Sequence, residues 1–349
     1  MPISKKSVFD QFNLFPPTRY MGSKEKLVPC LYDIFASLNF ESALDLMSGT
    51  SAISYLLKCM GKETISNDYM HMNYVAAKCL IENSTTRLEK SFAETLIRQN
   101  RSSNFISKKF EGLYFDKINS EMIDNINNNI QLLDNSVEKV IAQTALIRAC
   151  IKKRHRGIFA YTGLNHDDGR KDLRLSINEH FIQNIDIVNK AIFDNKKNNK
   201  VFMKNCAEVS YIPDLVYIDP PYFSPLSDNE YVRRYHFVEG LSRNWKGIQF
   251  QEDTKTKKFK SYPSQFTKLS AATDAFDLLI KKYAASDIII SYSSNAKPDK
   301  LFFLKKLKQY KRHVDMVSVN HRYSFSNQGF AKNRIKNEVR EYIFIGTNR

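Results

Sequence analysis

At 349 residues, 42% hydrophobic and 12% aromatic, the chain is long enough for a full α/β domain plus an insertion or second domain, and its composition excludes intrinsic disorder. Lysine and arginine outnumber aspartate and glutamate by 53 to 37, and the resulting net charge of +16 predicts a polyanionic partner, nucleic acid ahead of a membrane surface. No membrane-length apolar run, no signal core at Met1-Pro2-Ile3-Ser4-Lys5-Lys6 and five scattered cysteines without C-x-x-C spacing predict a soluble cytoplasmic protein with reduced thiols and no metal site.

In chain order, Thr18 to Lys24 reads as a loop with a permissive glycine and two cations, followed by a helix over 26–38 with Leu27, Cys30, Leu31, Ile34 and Phe35 on one face. Residues 43–47 form a short buried strand running into Ser48-Gly49-Thr50-Ser51 and a helix over 52–60. A strand, a small-residue turn and a helix N-terminus make a cradle for a nucleotide-like ligand. A second strand over 63–67 ends in Asp68, about 20 residues beyond the glycine turn, the spacing at which a carboxylate meets ribose hydroxyls.

From 85 to 199 the chain turns Asn- and Lys-rich and helical. Its clearest helix, 137–151, ends in Lys152-Lys153-Arg154-His155-Arg156, a density of cations beyond what helix capping needs. Phosphate contacts by Lys152, Lys153, Arg154 and Arg156 are expected. His166-Asp167-Asp168-Gly169 reads as an ordinary turn, and 194–200 as a linker back to the sheet.

The returning strand over 200–203 is followed by Leu215-Val216-Tyr217-Ile218, an apolar run that reads as a buried strand. Asp219-Pro220-Pro221-Tyr222 closes it, because two prolines permit neither helix nor ladder pairing. A carboxylate and an aromatic ring are thereby fixed at the C-terminal edge of a sheet, where α/β folds bind ligands. Further on come a packing segment over 231–245, a basic aromatic stretch over 249–266, a helix over 271–283, and strands over 287–292, 314–319 and 339–345. The last two flank a basic hairpin carrying Arg322, Lys332, Arg334 and Lys336, a candidate groove reader.

The order Arg19-Tyr20-Met21-Gly22-Ser23-Lys24, Asp45-Leu46-Met47-Ser48-Gly49-Thr50, Asn67-Asp68 and, after a long insertion, Asp219-Pro220-Pro221-Tyr222 resembles the Dam-type, α-group adenine-N6 DNA methyltransferases. The resemblance implies a Rossmann-like α/β methyltransferase fold, with a mixed twisted sheet, helices on both faces and a mainly helical target-recognition insertion. It divides the chain into a cofactor half (1–84), the insertion (85–199) and a catalytic half (200–349). It implies S-adenosylmethionine as cofactor, double-stranded DNA as partner and a cognate restriction endonuclease as companion.

Residue by residue, the resemblance places the cofactor turn at Asp45, Met47 and Gly49, the ribose acid at Asp68, and the loop toward the methionine end at Tyr20 and Lys24. Cys206 and Ala207 fall beside the cofactor base, and Asp219 borders the cofactor as well as the target. Asp219, Pro220, Pro221 and Tyr222 would grip a flipped adenine. The chain departs from the pattern at Met47, at Ser51 and at Asn205-Cys206, which replace an aromatic, a second glycine and an acid.

The amine of adenine is a weak nucleophile because its lone pair is delocalised into the ring. A site must accept its N–H bonds, and the Asp219 carboxylate with the Pro220 carbonyl offers two acceptors at a fixed separation. Tyr222 can stack on the base and offset the cost of flipping. An RNA adenine methyltransferase and a non-catalytic DNA-binding protein of the same fold are the alternatives.

Overall fold

The computed structural model describes residues 3–99, 103–164, 169–223, 230–262, 264–322 and 338–348. Its strands are β1 (Ser42–Asp45), β2 (Glu63–Asn67), β3 (Lys200–Phe202), β4 (Leu215–Ile218), β5 (Asp287–Ser293), β6 (His313–Arg322) and β7 (Glu338–Thr347). They form one sheet in the order β3-β2-β1-β4-β5-β7-β6. The first five are parallel, and β7 runs antiparallel to both β5 and β6.

The early helices are α1 (Lys5–Phe12), α2 (Val28–Ala36), α3 (Ala52–Cys59) and α4 (His71–Ala77). The helical stretch that follows contains α5 (Lys90–Arg98), α6 (Phe105–Lys109), α7 (Lys117–Gln131), α8 (Ser136–Lys153) and α9 (Ile177–Ala191). Beyond β4 come α10 (Tyr231–Ser242), α11 (Leu269–Lys282) and α12 (Lys300–Tyr310). Among the described residues no helix is long and apolar enough to cross a membrane.

Strand pleating explains the two cores. Alternate side chains leave opposite faces, so Ala43, Leu215, Tyr217 and Ile289 join one apolar cluster while Leu44, Val216, Ile218, Ile288 and Ile290 join the other. The first cluster also holds residues of α2, α3, α4, α8, α9 and α10; the second takes Phe276 and Leu279 of α11 and Phe303 and Leu307 of α12. Helices therefore cover both faces of a mixed sheet, as expected. The helical stretch shares the core of the sheet-covering helices, with Ile141, Leu146, Phe181 and Ile185 all buried there.

Local chemistry sets the element ends. The helix expected over 26–38 begins as a 3-10 turn, Glu25–Leu27, because Pro29 sits in the first turn of α2 and lacks an N–H. Asn135 caps α8 by accepting from the N–H groups of Val137 and Glu138. Ser176 and Glu179 form a capping box on α9.

Glu239 of α10 is fully buried and accepts from the N–H groups of His71 and Met72 at 3.0 and 2.9 Å, and from the Tyr262 hydroxyl at 2.8 Å. It ties α10 to the first turn of α4, directly behind Asp68. Replacing it by alanine strands three donors, one buried and two part-buried, so Glu239→Ala is expected to lower folding stability by about 2–4 kcal/mol in urea denaturation. Glu239→Gln, which keeps an acceptor, is expected to lose less.

Candidate active site

The strand order reverses between β1 and β4: β2 and β3 lie on one side and β5 on the other. The C-terminal ends of β1 and β4 therefore part, and a cleft of about 900 Å³, partly open to solvent, lies there. The backbone after β1 is fixed by its neighbours. The N–H of Leu46 donates to Tyr217 O at 3.0 Å, the N–H of Ser48 to Asn67 O at 2.9 Å, and the Asn67 amide to Leu46 O at 3.0 Å.

Gly49 and Ser51 both adopt positive φ, 51° and 64°. Gly49 suits that region, whereas Ser51 carries the strain of a side chain where glycine fits best. A Cβ at Gly49 would lie 3.4 Å from the Tyr20 ring. Asp68 holds the turn from the far side. Its Oδ2 accepts from the N–H of Gly49 and its Oδ1 from that of Met70, both at 2.8 Å, and burial pushes its pKa up to about 6.

Asp45 lies deeper. Its Oδ2 accepts from the N–H and hydroxyl of Ser54 at 3.0 and 2.7 Å. Burial, reinforced by Asp219 and Asp68 nearby, pushes its pKa up to about 7. Three polar atoms among the cleft-lining residues, Asp45 Oδ1, Ser48 Oγ and Gln265 Oε1, are buried with no hydrogen-bond partner among the described residues. Orphaned acceptors in one cleft fit a ligand bearing amines and hydroxyls.

Asp219 stands at the end of β4 in a dense polar cluster. Its Oδ2 lies 2.8 Å from Lys24 Nζ. Its Oδ1 accepts from the Ser291 hydroxyl at 3.0 Å and lies 3.1 Å from the Tyr222 hydroxyl. Because Ser291 donates there, the Tyr217 hydroxyl, 2.7 Å away, donates to Ser291. Glu341 of β7 adds a second carboxylate, 3.9 Å from Lys24 Nζ and in contact with the Tyr222 hydroxyl.

The Lys24 ammonium also lies 4.9 Å from the centre of the Tyr222 ring. Burial works against its charge, but Asp219 and Glu341 outweigh it and hold the Lys24 pKa above the usual lysine value. Burial raises the Asp219 pKa, with Lys24 opposing the shift and Glu341 adding to it.

Of the residues expected from sequence, Tyr20, Lys24, Asp45, Met47, Gly49, Asp68, Cys206, Asp219 and Pro221 line this one cleft. Pro220, Tyr222 and Ala207 adjoin lining residues in sequence without being among them; the Ala207 carbonyl accepts from Lys282 Nζ at 2.7 Å. The basic cluster divides. Arg154 is buried and donates to the carbonyls of Ile158, Tyr161 and Gly163, and Lys153 donates to those of Leu173 and Leu175. Lys152 is half-buried and Arg156 is exposed. Arg322 ends β6, paired in register with Glu338. Lys332, Arg334, Lys336 and the turn residues His166, Asp167 and Asp168 lie outside the described residues.

Sequence reasoning missed Glu341 and Ser291, whose strand register is not legible locally, and Tyr231 with Tyr235. The Tyr20 ring stacks on both tyrosines, with centroids 5.5 and 4.8 Å apart, and the Met21 N–H donates to the Tyr235 hydroxyl at 2.8 Å. Gln265 and Phe266, which also line the cleft, come from the stretch read only as basic and aromatic. Among the described residues no three His, Cys, Asp or Glu side chains are grouped to hold a metal.

A mixed seven-stranded sheet with this cleft at its reversal is the frame of a methyltransferase, and comparison with known proteins defines which. Residues 20–294 match the D12 class of N6 adenine-specific DNA methyltransferases, and the chain belongs to that family. It is 24% identical over 351 residues to the type II methyltransferase M2.HphI of Haemophilus parahaemolyticus, covering 96% of this chain and 98% of that protein. It is 27% identical over 361 residues to the modification methylase StsI of Streptococcus sanguinis and 25% identical over 303 residues to the type II methyltransferase M.FokI of Planomicrobium okeanokoites. Those alignments cover 93% and 79% of this chain but only 51% and 44% of the two relatives, so the chain spans about half their length.

The buried Asp45 carboxyl gives the site a pH signature. Its folded pKa of about 7 lies above the unfolded value of about 3.9, so its contribution to stability is complete below the unfolded value and lost as pH rises through the folded one. The ligand-free wild type is expected to lose stability between pH 5 and pH 8. Asp45→Asn, which cannot ionise, is expected to lose measurably less in thermal melts over the same range.

Proposed function

We propose that the chain transfers a methyl group from S-adenosylmethionine to the N6 amine of an adenine flipped out of double-stranded DNA, with both bound in the cleft between β1 and β4. The observation that carries this reading is that Asp219 lines the same cleft as Asp45, Gly49 and Asp68, although some 150 residues separate them in sequence. When bound, S-adenosylmethionine supplies an electrophilic methyl on a sulfonium. Asp45, Met47, Gly49, Asp68 and Cys206 would hold it, with Tyr20 and Lys24 closing the opposite wall; Ala207 supports that end through its backbone.

Asp219 and the Pro220 carbonyl accept the two N–H bonds of the target amine, which localises its lone pair for attack. Pro221 stiffens the turn that sets their spacing. Tyr222 offers its ring to the base. The raised pKa of Asp219 marks a carboxylate with high proton affinity, suited to take up the proton the amine sheds.

The charge of +16 supports a DNA backbone partner. Lys152 and Arg156 are the phosphate contacts we retain from the basic cluster, since Lys153 and Arg154 bind main-chain carbonyls. The turn carrying Arg156 is set beside the cleft wall, because a Cβ on its neighbour Gly157 would lie 3.1 Å from the Cβ of Arg19. We assign target recognition to 85–199 together with Arg322 at the end of β6 and the basic stretch of sequence that follows it, with Lys332, Arg334 and Lys336. The printed names of the relatives, type II methyltransferase and modification methylase, support a role as the modifying partner of a restriction endonuclease.

Two substitutions separate binding from chemistry. Asp68→Ala is expected to weaken S-adenosylmethionine binding by about 1–3 kcal/mol, measured by calorimetry, and to leave non-specific DNA affinity unchanged. Asp219→Ala is expected to retain cofactor binding while methyl transfer falls by several orders of magnitude. Near-normal turnover in the second variant would remove Asp219 from the chemistry.

A further inference from the structure

Glu341 lies outside the stretch that matches the family, on the antiparallel strand β7, and yet belongs to the Asp219 cluster. Its side chain is fully buried. Strand register places it opposite Ser293 of β5, two residues from the Ser291 that donates to Asp219. Two donors stand between the carboxylates. The Lys24 ammonium is 2.8 Å from Asp219 and 3.9 Å from Glu341. The Tyr222 hydroxyl lies 3.1 Å from Asp219 Oδ1 and also contacts Glu341 Oε1.

A phenol has one proton and serves one acid at a time. Lys24 gives one of its three to the Gly22 carbonyl at 3.0 Å, leaving two for the carboxylates. Were Asp219 the only acid present, an arriving amine would have to displace the ammonium and leave it buried and unpaired, which is costly. A second acid beside it removes that obstacle, because the ammonium and the phenol can shift toward Glu341 without leaving the site.

We propose that Glu341 is a positioning residue for methyl transfer: it accepts the Tyr222 hydroxyl's hydrogen bond and draws the Lys24 ammonium, which frees the Asp219 carboxylate to accept an N–H of the target amine. This rests on Asp219 being the amine acceptor, as proposed above. Glu341 itself is not among the residues that line the cleft.

The test is steady-state methylation of DNA by wild type, Glu341→Gln, Glu341→Asp and Asp219→Ala across a pH series, with cofactor binding and thermal melts measured on each. Glu341→Gln is expected to lower kcat about 10- to 100-fold with the KM for S-adenosylmethionine unchanged. Its acid limb is expected to move to lower pH. Among the described residues, the charged and titratable groups facing Asp219 are Lys24, Asp45, Tyr217, Tyr222, Tyr231 and Glu341, and only the last, whose charge raises the Asp219 pKa, is altered. Glu341→Asp, which keeps the charge, is expected to recover most of the kcat.

A wild-type kcat and acid limb in Glu341→Gln would overturn the proposal. So would equal losses in both Glu341 variants with an unmoved limb and a lowered melting temperature, the result of a structural role. Normal turnover in Asp219→Ala would sink the reading of the site itself; loss there with an unaffected Glu341→Gln would sink this inference alone.

Discussion

The buried ion pair between Lys24 and Asp219 joins the two parts of the molecule that the sheet order leaves apart. A parallel sheet whose order reverses between β1 and β4 sends the following segments away on opposite sides, so the strand ends at the reversal are open. The loop before α2 closes that opening. It is pinned by Lys24 to the end of β4, by the stacking of Tyr20 on Tyr231 and Tyr235, and by the N–H of Met21 on the Tyr235 hydroxyl. Without these ties the cleft would lack a wall, and the carboxylate at its centre would face water.

The electrostatics of the cleft oppose those of the molecule. The whole chain is strongly cationic, suited to a phosphate backbone, whereas Asp45, Asp68 and Asp219 line the cleft, and Lys24 stands between Asp219 and the neighbouring carboxylate of Glu341. Burial, with neighbouring acids adding to it, raises the pKa to about 7 at Asp45 and about 6 at Asp68. Such a site favours ligands that bring N–H and O–H donors or positive charge. An amine substrate with a sulfonium donor meets that requirement; a phosphate does not.

What was legible in the sequence is what short-range pattern dictates. The strand before Asp219 appeared where its run of Leu215-Val216-Tyr217-Ile218 and the following prolines put it, and α8 starts and stops within two residues of its apolar period. The cleft lining from β1, β2 and β4 followed from the same runs. The helix α12 went unread because lysines at 300, 305, 306 and 308 break its apolar period, leaving only Phe303 and Leu307 buried. Glu341 was invisible for a different reason. Its place is set by antiparallel register with β5, and it meets Tyr222 across 119 residues of chain. The inward turn of Arg154 was equally hidden, since a run of cations in sequence does not reveal which of them the loop carbonyls will claim.

The central claim is that one cleft holds the methyl donor and the target adenine together. The direct measurement is to incubate the purified protein with duplex DNA and S-adenosylmethionine carrying an isotopically labelled methyl, then digest the DNA and resolve its nucleosides by mass spectrometry. The account predicts label in N6-methyladenine and in no other nucleoside. Label confined to cytosine, or DNA that remains unlabelled while the protein binds both the cofactor and the duplex, would contradict it.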